Sequence, residues 1–183
     1  MDLADKTDEE VVVLVRSGDS DSFGIVIARY EERMLRYARR FLLDTEDAKD
    51  LAQEVFIKAY ANLQSFDAAR KFSSWLYRIA HNEFLNFIKR KNGRQVFSLF
   101  DVDTLFPHPI AKETADQGIG LRENKEWLEK SLSTLDAKYR EPIILYYLEE
   151  MDYREIADIL EIPVSTVGVR LARGREMLKK QPR

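Results

Sequence analysis

Residues 152–175, DYREIADILEIPVSTVGVRLARGR, contain two runs of apolar residues at helical spacing with a short turn between them. In each run the apolar side chains recur three and four residues apart, so that each run has one buried face: Ile156, Ala157 and Leu160 in the first, Val167 and Leu171 in the second. Pro163 suits the first turn of the second helix, where its missing N–H would have had no partner. The segment therefore predicts a helix-turn-helix.

The second helix of this segment is strongly basic. From residue 165 to residue 183, six basic side chains stand against one acidic side chain, on a chain whose formal net charge is −3. A local cationic helix on an acidic protein favours contact with phosphate at one place. A solvated helix in a bundle is the alternative interpretation, and DNA binding is the hypothesis that spacing and charge favour together.

Composition argues against several classes of protein. The chain has 183 residues, no cysteine and two histidines, His81 and His108, so we expect neither a disulfide framework nor a metal site. No apolar run approaches the roughly 18–20 residues that span a bilayer, and the N-terminus has no signal-peptide pattern. No nucleophile–base pair or phosphate loop indicates an enzyme. We expect a cytoplasmic protein without cofactor.

Helical periodicity dominates the N-terminal half, and no stretch alternates as a strand would. A capping-box pattern over residues 7–10 predicts the start of a first helix. Further helices are predicted from Phe23 to about Phe41, from about Ala48 to Tyr60 with Tyr60 inward, and over residues 73–91. The N-terminal module is therefore expected to be all-α.

Residues 95–120 interrupt the helical pattern. They contain two prolines, two glycines and four acidic side chains against one basic, which predicts a flexible acidic linker. Asp101 and Asp103 are expected to be solvated and not metal ligands, because no partner ligands surround them. Helical spacing resumes at residue 121, so the expected modules are 1–94 and 121–183. Pro142 predicts a kink or a late start in a helix over residues 138–150.

The fourth helix carries a polar stripe opposite its apolar face. Arg78, Asn82, Asn86 and Lys89 follow one another at helical spacing. Asn is a poor helix former, because its side chain competes for backbone groups. Asn can bond base edges and basic side chains can hold phosphates, so the stripe favours nucleic-acid contact over a merely solvated face. Nearby aromatic rings suit stacking of unpaired bases, although Trp75 alone is better explained as core.

The third helix presents an acidic face, with Asp47, Asp50, Gln53, Glu54 and Lys58 outward. DNA would repel this face, because it carries the same sign of charge as phosphate. The face therefore either lies in water or meets a basic protein surface, and the residues alone leave both open.

Three segments, in order, resemble a bacterial RNA polymerase sigma factor of the extracytoplasmic-function (ECF) group: DAKDLAQEVFIKAY, KFSSWLYRIAHNEFLNFIKRK and YREIADILEIPVSTVGVRLARGRE. The resemblance covers nearly the whole chain. It implies an all-α fold of two small helical domains, commonly called domain two and domain four, with a helix-turn-helix in the C-terminal domain four. It also implies binding to core RNA polymerase, promoter recognition, promoter melting and transcription initiation. The implied partners are core RNA polymerase, promoter DNA and an anti-sigma factor, with no small-molecule substrate.

The resemblance further implies roles for particular residues. Docking on a coiled coil of the largest polymerase subunit falls to Asp50, Gln53, Glu54 and Ile57. Contact with the minus-ten element falls to a loop and the helix after it: Phe66, Asp67, Lys71, Phe72, Arg78, Asn82, Asn86, Lys89 and Arg90. Contact with the minus-thirty-five element falls to the last helix: Ser165, Thr166, Val169, Arg170, Arg173 and Arg175.

Some positions depart from the family's pattern. Gly168 and Val169 stand where the family usually has a basic and then a small polar residue, which affects minus-thirty-five contact. Glu161 stands where the turn usually has Gly, which predicts a positive φ at a residue with a side chain. Two alternatives therefore remain: a stand-alone helix-turn-helix regulator, and a sigma-like protein that binds polymerase but recognises no promoter.

Overall fold

The computed structural model describes residues 5–43, 46–92 and 125–181. The chain divides into two compact units, Met1–Phe87 and Ile88–Arg183. Within the described ranges both units are built from helices without any strand, so the all-α class with two helical domains is confirmed. The expected boundaries at residues 94 and 120 and the predicted linker with Asp101 and Asp103 lie outside the described residues. No helix in the described ranges has both the length and the apolar character to cross a membrane.

The described residues up to Asn92 form four α-helices and two short 3₁₀ turns, and the last of these helices extends five residues past the end of the N-terminal unit. In chain order the helices are α1 (Asp8–Arg16), α2 (Phe23–Leu42), α3 (Glu46–Ala61) and α4 (Phe72–Asn92), with the turns at Ser20–Ser22 and Leu63–Ser65. The capping box predicted for the first helix is present. Glu10 N–H donates to Thr7 Oγ1 at 3.2 Å, and Thr7 N–H donates to Glu10 Oε2 at 2.7 Å.

A cluster of aromatic rings forms the core of this unit. The Tyr37 ring of α2 lies 5.1 Å from that of Tyr77 and 5.2 Å from that of Phe84, both on α4. All three side chains are fully buried, so they join α2 to α4 by apolar burial and ring contact. The prediction that Tyr60 faces inward was wrong. Its ring is exposed and covers the edge of Phe23, because Tyr60 lies near the C-terminal end of α3.

The C-terminal unit begins its described part at residue 125. Its helices are α5 (Lys125–Ser131), α6 (Ala137–Ile143), α7 (Tyr153–Leu160) and α8 (Val164–Lys179), with a 3₁₀ turn at Leu132–Thr134 and a π-helical turn at Ile144–Leu148. Pro142 lies inside α6, and the chain changes from α to π geometry two residues later. The helix starts at Ala137, so the late start considered for Pro142 is not found; the α geometry instead ends in a π turn, closed by Glu149 N–H donating to Ile144 O at 3.0 Å.

Helices α7 and α8 form the helix-turn-helix. Asp152 and Glu155 make a reciprocal capping box at the start of α7. Glu161 ends α7 in the left-handed region, with φ 54° and ψ 42°, which confirms the positive φ expected there. Pro163 directly precedes α8. Gly174 allows α8 to approach α6, since a Cβ built at Gly174 would lie 3.0 Å from Cγ1 of Ile143.

Candidate functional site

A groove with an apolar floor runs between α2 and α3. It encloses about 360 Å³, and its lining residues are Ile27, Glu31, Leu35, Lys49, Ala52, Gln53, Phe56 and Ile57. The side chain of Ile57 is 61% exposed, which is unusual for an isoleucine on a helix of a small domain. Apolar surface rimmed by charged side chains is typical of a protein docking site. Gln53 and Ile57, two of the residues expected to bind polymerase, line this groove.

The other two residues expected at the polymerase interface lie on the same helix. Asp50 is exposed, while Glu54 is half-buried and lies 4.0 Å from the Nζ of Lys58. Lys58 also pairs at 2.6 Å with Glu83 of α4, whose carboxylate is buried. The acidic face of α3 is therefore continuous with the groove, and Lys58 ties the end of that face to α4.

The loop of residues 62–71, here called the α3–α4 loop, carries part of the expected minus-ten surface. Asp67 organises its tip, because Oδ1 accepts from Ala69 N–H at 3.0 Å and the Asp67 carbonyl accepts from Arg70 N–H at 2.9 Å. The side chains of Asp67, Arg70 and Lys71 are all exposed. The loop therefore presents a charged tip to solvent.

The aromatic residues beside this loop form core and not a stacking platform. Phe66 and Phe72 are 3% and 0% exposed, and their ring centroids lie 5.5 Å apart. Trp75, half-buried, lies 5.3 Å from Phe66 and 5.6 Å from Phe72. The assignment of Phe66 and Phe72 as minus-ten contacts is therefore corrected, because neither ring is accessible to a base in this conformation.

The polar stripe of α4 is accessible along its length. Asn82, Asn86, Lys89 and Arg90 are exposed, and Arg78 is half-buried. The opposite face carries the fully buried Leu76, Ala80 and Phe84. An exposed row of amides and basic groups on one helix can contact bases and phosphates together.

Only some of the α8 side chains that were expected to contact DNA are accessible. Ser165, Val169 and Arg173 are half-buried and follow one another four residues apart, so they form one stripe. Val167, Leu171 and Leu178 are fully buried on the other side. The stripe of Ser165, Val169 and Arg173 is the accessible part of the surface expected to contact the minus-thirty-five element.

Three of the residues expected to contact the minus-thirty-five element are buried. Thr166, Arg170 and Arg175 are 4%, 6% and 9% exposed. Arg170 lies three positions from Val167 and Arg175 four positions from Leu171, so these two side chains lie beside the apolar stripe and point into the unit. Their assignment as DNA contacts is corrected, and Ser165, Val169 and Arg173 remain as candidates.

Arg175 has a structural environment of its own. Its guanidinium lies near the hydroxyls of Tyr147 and Tyr153, and the buried Tyr147 hydroxyl has no hydrogen-bond partner of good geometry among the described residues. The ring of Tyr146 lies 4.9 Å from that of Tyr147 and 5.4 Å from that of Tyr153. Burial lowers the pKa of Arg175, but the two hydroxyls outweigh it and the net shift is upward. Burial raises the pKa of Tyr153, because it disfavours the charged form of the hydroxyl. Arg175 therefore connects α8 to the π turn and to α7 as a charged, buried anchor.

Two residues of α1 that sequence reasoning missed are bound to the α3–α4 loop. Arg16 donates hydrogen bonds to the carbonyls of Leu63 and Gln64, both at 2.9 Å, and Glu9 accepts from the N–H of Phe72 at 2.8 Å. These partners lie 47 to 63 residues apart in the chain, so no local pattern could indicate them.

Residues 26–94 match the family model described as Sigma-70 region 2, and residues 125–178 match the one described as Sigma-70, region 4. The ECF RNA polymerase sigma factor SigW of Bacillus subtilis (strain 168) is 37% identical over 182 residues, which cover 92% of this chain and 93% of that protein. This chain belongs to the ECF RNA polymerase sigma factors. Region 2 contains all the lining residues of the groove and the α4 stripe, and region 4 contains the helix-turn-helix.

Solved structures resemble this sigma factor over most of its length. CnrH, in complex with the cytosolic domain of CnrY, has a TM-score of 0.69 and 25% identity, with 95% of this chain and 96% of that chain covered. The sigma factor RpoE of Bartonella quintana, in complex with the anti-sigma factor NepR, has a TM-score of 0.64 and 28% identity, with 86% and 94% covered.

The family's function agrees with the chemistry of the described residues. Sigma factors are transcription initiation factors and not enzymes. Within residues 5–43, 46–92 and 125–181, no group of three or more metal-ligating side chains is brought together. The surfaces described above, a docking groove and two polar helix faces, suit binding to macromolecules.

Proposed function

We propose that this sigma factor binds core RNA polymerase through the α2–α3 groove and directs it to promoters that it then helps to melt. The observation that carries the proposal is the exposed Ile57 beside Gln53 in an apolar groove on the acidic helix. DNA does not favour such a surface, whereas a protein partner that presents apolar and basic side chains would bind it.

Promoter contacts are assigned to two faces. The charged tip of the α3–α4 loop and the α4 stripe, with Asn82 and Asn86 at its centre, are proposed to recognise the minus-ten element. Ser165, Val169 and Arg173 on α8 are proposed to recognise the minus-thirty-five element. Val169 suits an apolar contact with a thymine methyl, and Arg173 suits a bidentate contact with guanine.

Regulation by an anti-sigma factor is part of the proposal. RpoE is described in complex with an anti-sigma factor, and CnrH with the cytosolic domain of CnrY. A protein that must leave and rejoin polymerase acts where polymerase acts, so the proposed location is the cytoplasm. The proposal includes no catalytic step of its own.

A run-off transcription assay tests the proposal. Core RNA polymerase alone should give no specific transcript, and addition of this chain should produce one from a promoter selected out of a random library. A stand-alone helix-turn-helix regulator would instead bind the selected DNA without polymerase. Specific binding without core enzyme, together with no specific transcript in its presence, would contradict the proposal.

A further inference from the structure

Helix α1 is bound to the start of the α3–α4 loop through one arginine. Arg16 Nε donates to the Leu63 carbonyl at 2.9 Å, and its Nη2 donates to the carbonyls of Gln64 and Phe66. The same guanidinium lies over the Phe66 ring, 5.9 Å from its centroid. Three carbonyls of one turn are therefore held by a single planar cation, a task that suits the fork of donors on an arginine.

Helix α1 also holds the end of this loop. Glu9 Oε1 accepts from the N–H of Phe72 at 2.8 Å, and Phe72 is the first residue of α4. A carboxylate at this position satisfies a helix N–H that has no partner within the helix, and it suits the positive end of the helix dipole. Both ends of the α3–α4 loop are thus fixed by side chains of α1 that lie about two helical turns apart.

The remaining contacts attach α1 to α2. Arg29 Nη1 lies 2.7 Å from Asp8 Oδ1, its Nη2 donates to the carbonyl of Lys6 at 2.7 Å, and the Tyr30 hydroxyl donates to Asp8. Burial and the bond to Asp8 raise the pKa of Tyr30, so this hydroxyl keeps its proton. The N-terminal end of α1 is therefore anchored on α2, while Glu9 and Arg16 of the same helix hold the two ends of the α3–α4 loop.

We propose that α1 sets the conformation of the α3–α4 loop for minus-ten recognition, with Arg16 and Glu9 as positioning residues. This inference rests on the proposed function, in which the loop meets promoter DNA. A loop held in one conformation cannot rearrange to fit a mismatched base, whereas a flexible loop can re-pack around several bases, so holding the loop increases discrimination between bases. Neither residue needs to touch DNA for this effect.

The test uses holoenzyme and a promoter library with randomised minus-ten and minus-thirty-five elements. Sequence preferences are read from run-off transcripts for the wild type, Arg16→Ala and Glu9→Ala. We expect each variant to lose minus-ten preference by about tenfold, as the loss of a hydrogen bond to a charged group implies. Preference in the minus-thirty-five element and affinity for core polymerase should remain as in the wild type. Arg16→Lys should restore part of the preference, since lysine keeps the charge but not the fork.

Arg29→Ala is the matched control. It removes a comparable pair of contacts from α1, but those contacts go to Asp8 and Lys6 and not to the loop, and Tyr30 still holds Asp8. It should keep minus-ten preference. Trp75 fluorescence in a Trp127→Phe background gives an independent readout, because the Trp75 ring lies against Phe66. Its emission should change in Arg16→Ala and not in Arg29→Ala.

Two results would overturn this inference and leave the proposed function intact. One is unchanged minus-ten preference in both Arg16→Ala and Glu9→Ala while Asn82→Ala alters it. The other is a parallel loss of preference in both elements, as in a protein that is merely less stable. If wild-type holoenzyme selects no promoter from the library, the proposed function fails and the inference with it.

Discussion

The Nζ of Lys58 lies 2.6 Å from a carboxylate oxygen of Glu83, and this ion pair joins α3 to α4. Glu83 is 6% exposed and lies on α4, the helix with the polar stripe, whereas Lys58 lies one turn beyond Glu54 on the acidic face of α3. A buried carboxylate needs a compensating charge, because its transfer from water is costly. The pair therefore fixes the position of α3, proposed to dock on polymerase, against α4, proposed to contact DNA.

We predict that Lys58→Met lowers the free energy of unfolding of the N-terminal unit by about 1–3 kcal/mol, because it leaves Glu83 buried without its partner. Lys58→Met combined with Glu83→Leu should recover most of that loss, since it removes both charges. Urea unfolding followed by Trp75 fluorescence in a Trp127→Phe background measures both variants in the N-terminal unit. Equal losses in the single and double variants would show that the pair does not stabilise the fold.

A second prediction concerns the docking groove. Ile57→Ala should weaken binding to core polymerase about 10- to 100-fold, as removal of a central apolar contact in a protein interface does. Its side chain is exposed in the unbound chain, so the melting temperature should barely change.

Val13→Ala is the control for this variant. Val13 is also exposed and apolar, but it lies on α1 and does not line the groove. Core affinity should be unaltered in Val13→Ala when measured by fluorescence anisotropy of labelled protein. If the two variants bind core polymerase equally well, the groove is not the docking surface.

The sequence allowed prediction of features that depend on neighbours in the chain. Helical periodicity gave the all-α class, the 7–10 pattern gave the first capping box, and the family's turn pattern gave the positive φ of Glu161. These depend on residues a turn or less apart. The proposed roles of Asp50, Gln53, Asn82 and Arg173 stay predictions.

Long-range contacts were beyond such prediction. The bonds of Arg16 and Glu9 to the α3–α4 loop join residues that share no local pattern. The burial of Arg170 and Arg175, in contrast, could have been predicted from the sequence. Both lie three or four residues from members of the apolar stripe of α8, a spacing that indicates the buried face. The net charge of a helix does not show which of its basic side chains are accessible, because accessibility depends on the face on which each one lies.

A third prediction separates base recognition from phosphate contact on α4. Asn82→Ala should change which promoters open, because an amide that bonds base edges carries sequence preference. Lys89→Ala should weaken all promoters alike and reduce the slope of log affinity against log salt by about 0.9 per lost phosphate contact. Permanganate footprinting of open complexes and salt titration distinguish the two. If Asn82→Ala and the wild type melt the same set of promoters, the stripe is a solvated surface and does not recognise bases.

A fourth prediction contrasts two arginines of α8. Arg173→Ala should leave the melting temperature nearly unchanged and cost roughly 1–3 kcal/mol at one base pair of the minus-thirty-five element. Arg175→Ala should instead destabilise the C-terminal unit, because it removes the cation between Tyr147 and Tyr153. Thermal unfolding and binding to a complete set of single-base variants test this contrast. A uniform loss of affinity over all sequences in Arg173→Ala would make that residue a phosphate contact.

A fifth prediction uses two glycines in helices as a matched pair. Gly24 in α2 has no atom within 4 Å of an added Cβ, so Gly24→Ala should stabilise the N-terminal unit by about 0.5–1 kcal/mol through helix propensity. Gly174→Ala gains the same propensity, but its Cβ would lie 3.0 Å from Cγ1 of Ile143. Ile143 is fully buried and cannot move aside without disturbing α6.

The strain at Gly174 should therefore exceed the gain. Overpacking of a close contact typically costs about 1–3 kcal/mol, so Gly174→Ala should be destabilising by roughly 1 kcal/mol after the helix propensity is subtracted. Urea unfolding followed by Trp127 fluorescence in a Trp75→Phe background reports on the C-terminal unit. Gly174→Ala combined with Ile143→Val should recover part of the loss, because valine lacks Cδ1, which would lie 3.3 Å from the added Cβ. If Gly174→Ala stabilises as much as Gly24→Ala does, the approach of α8 to α6 does not depend on glycine.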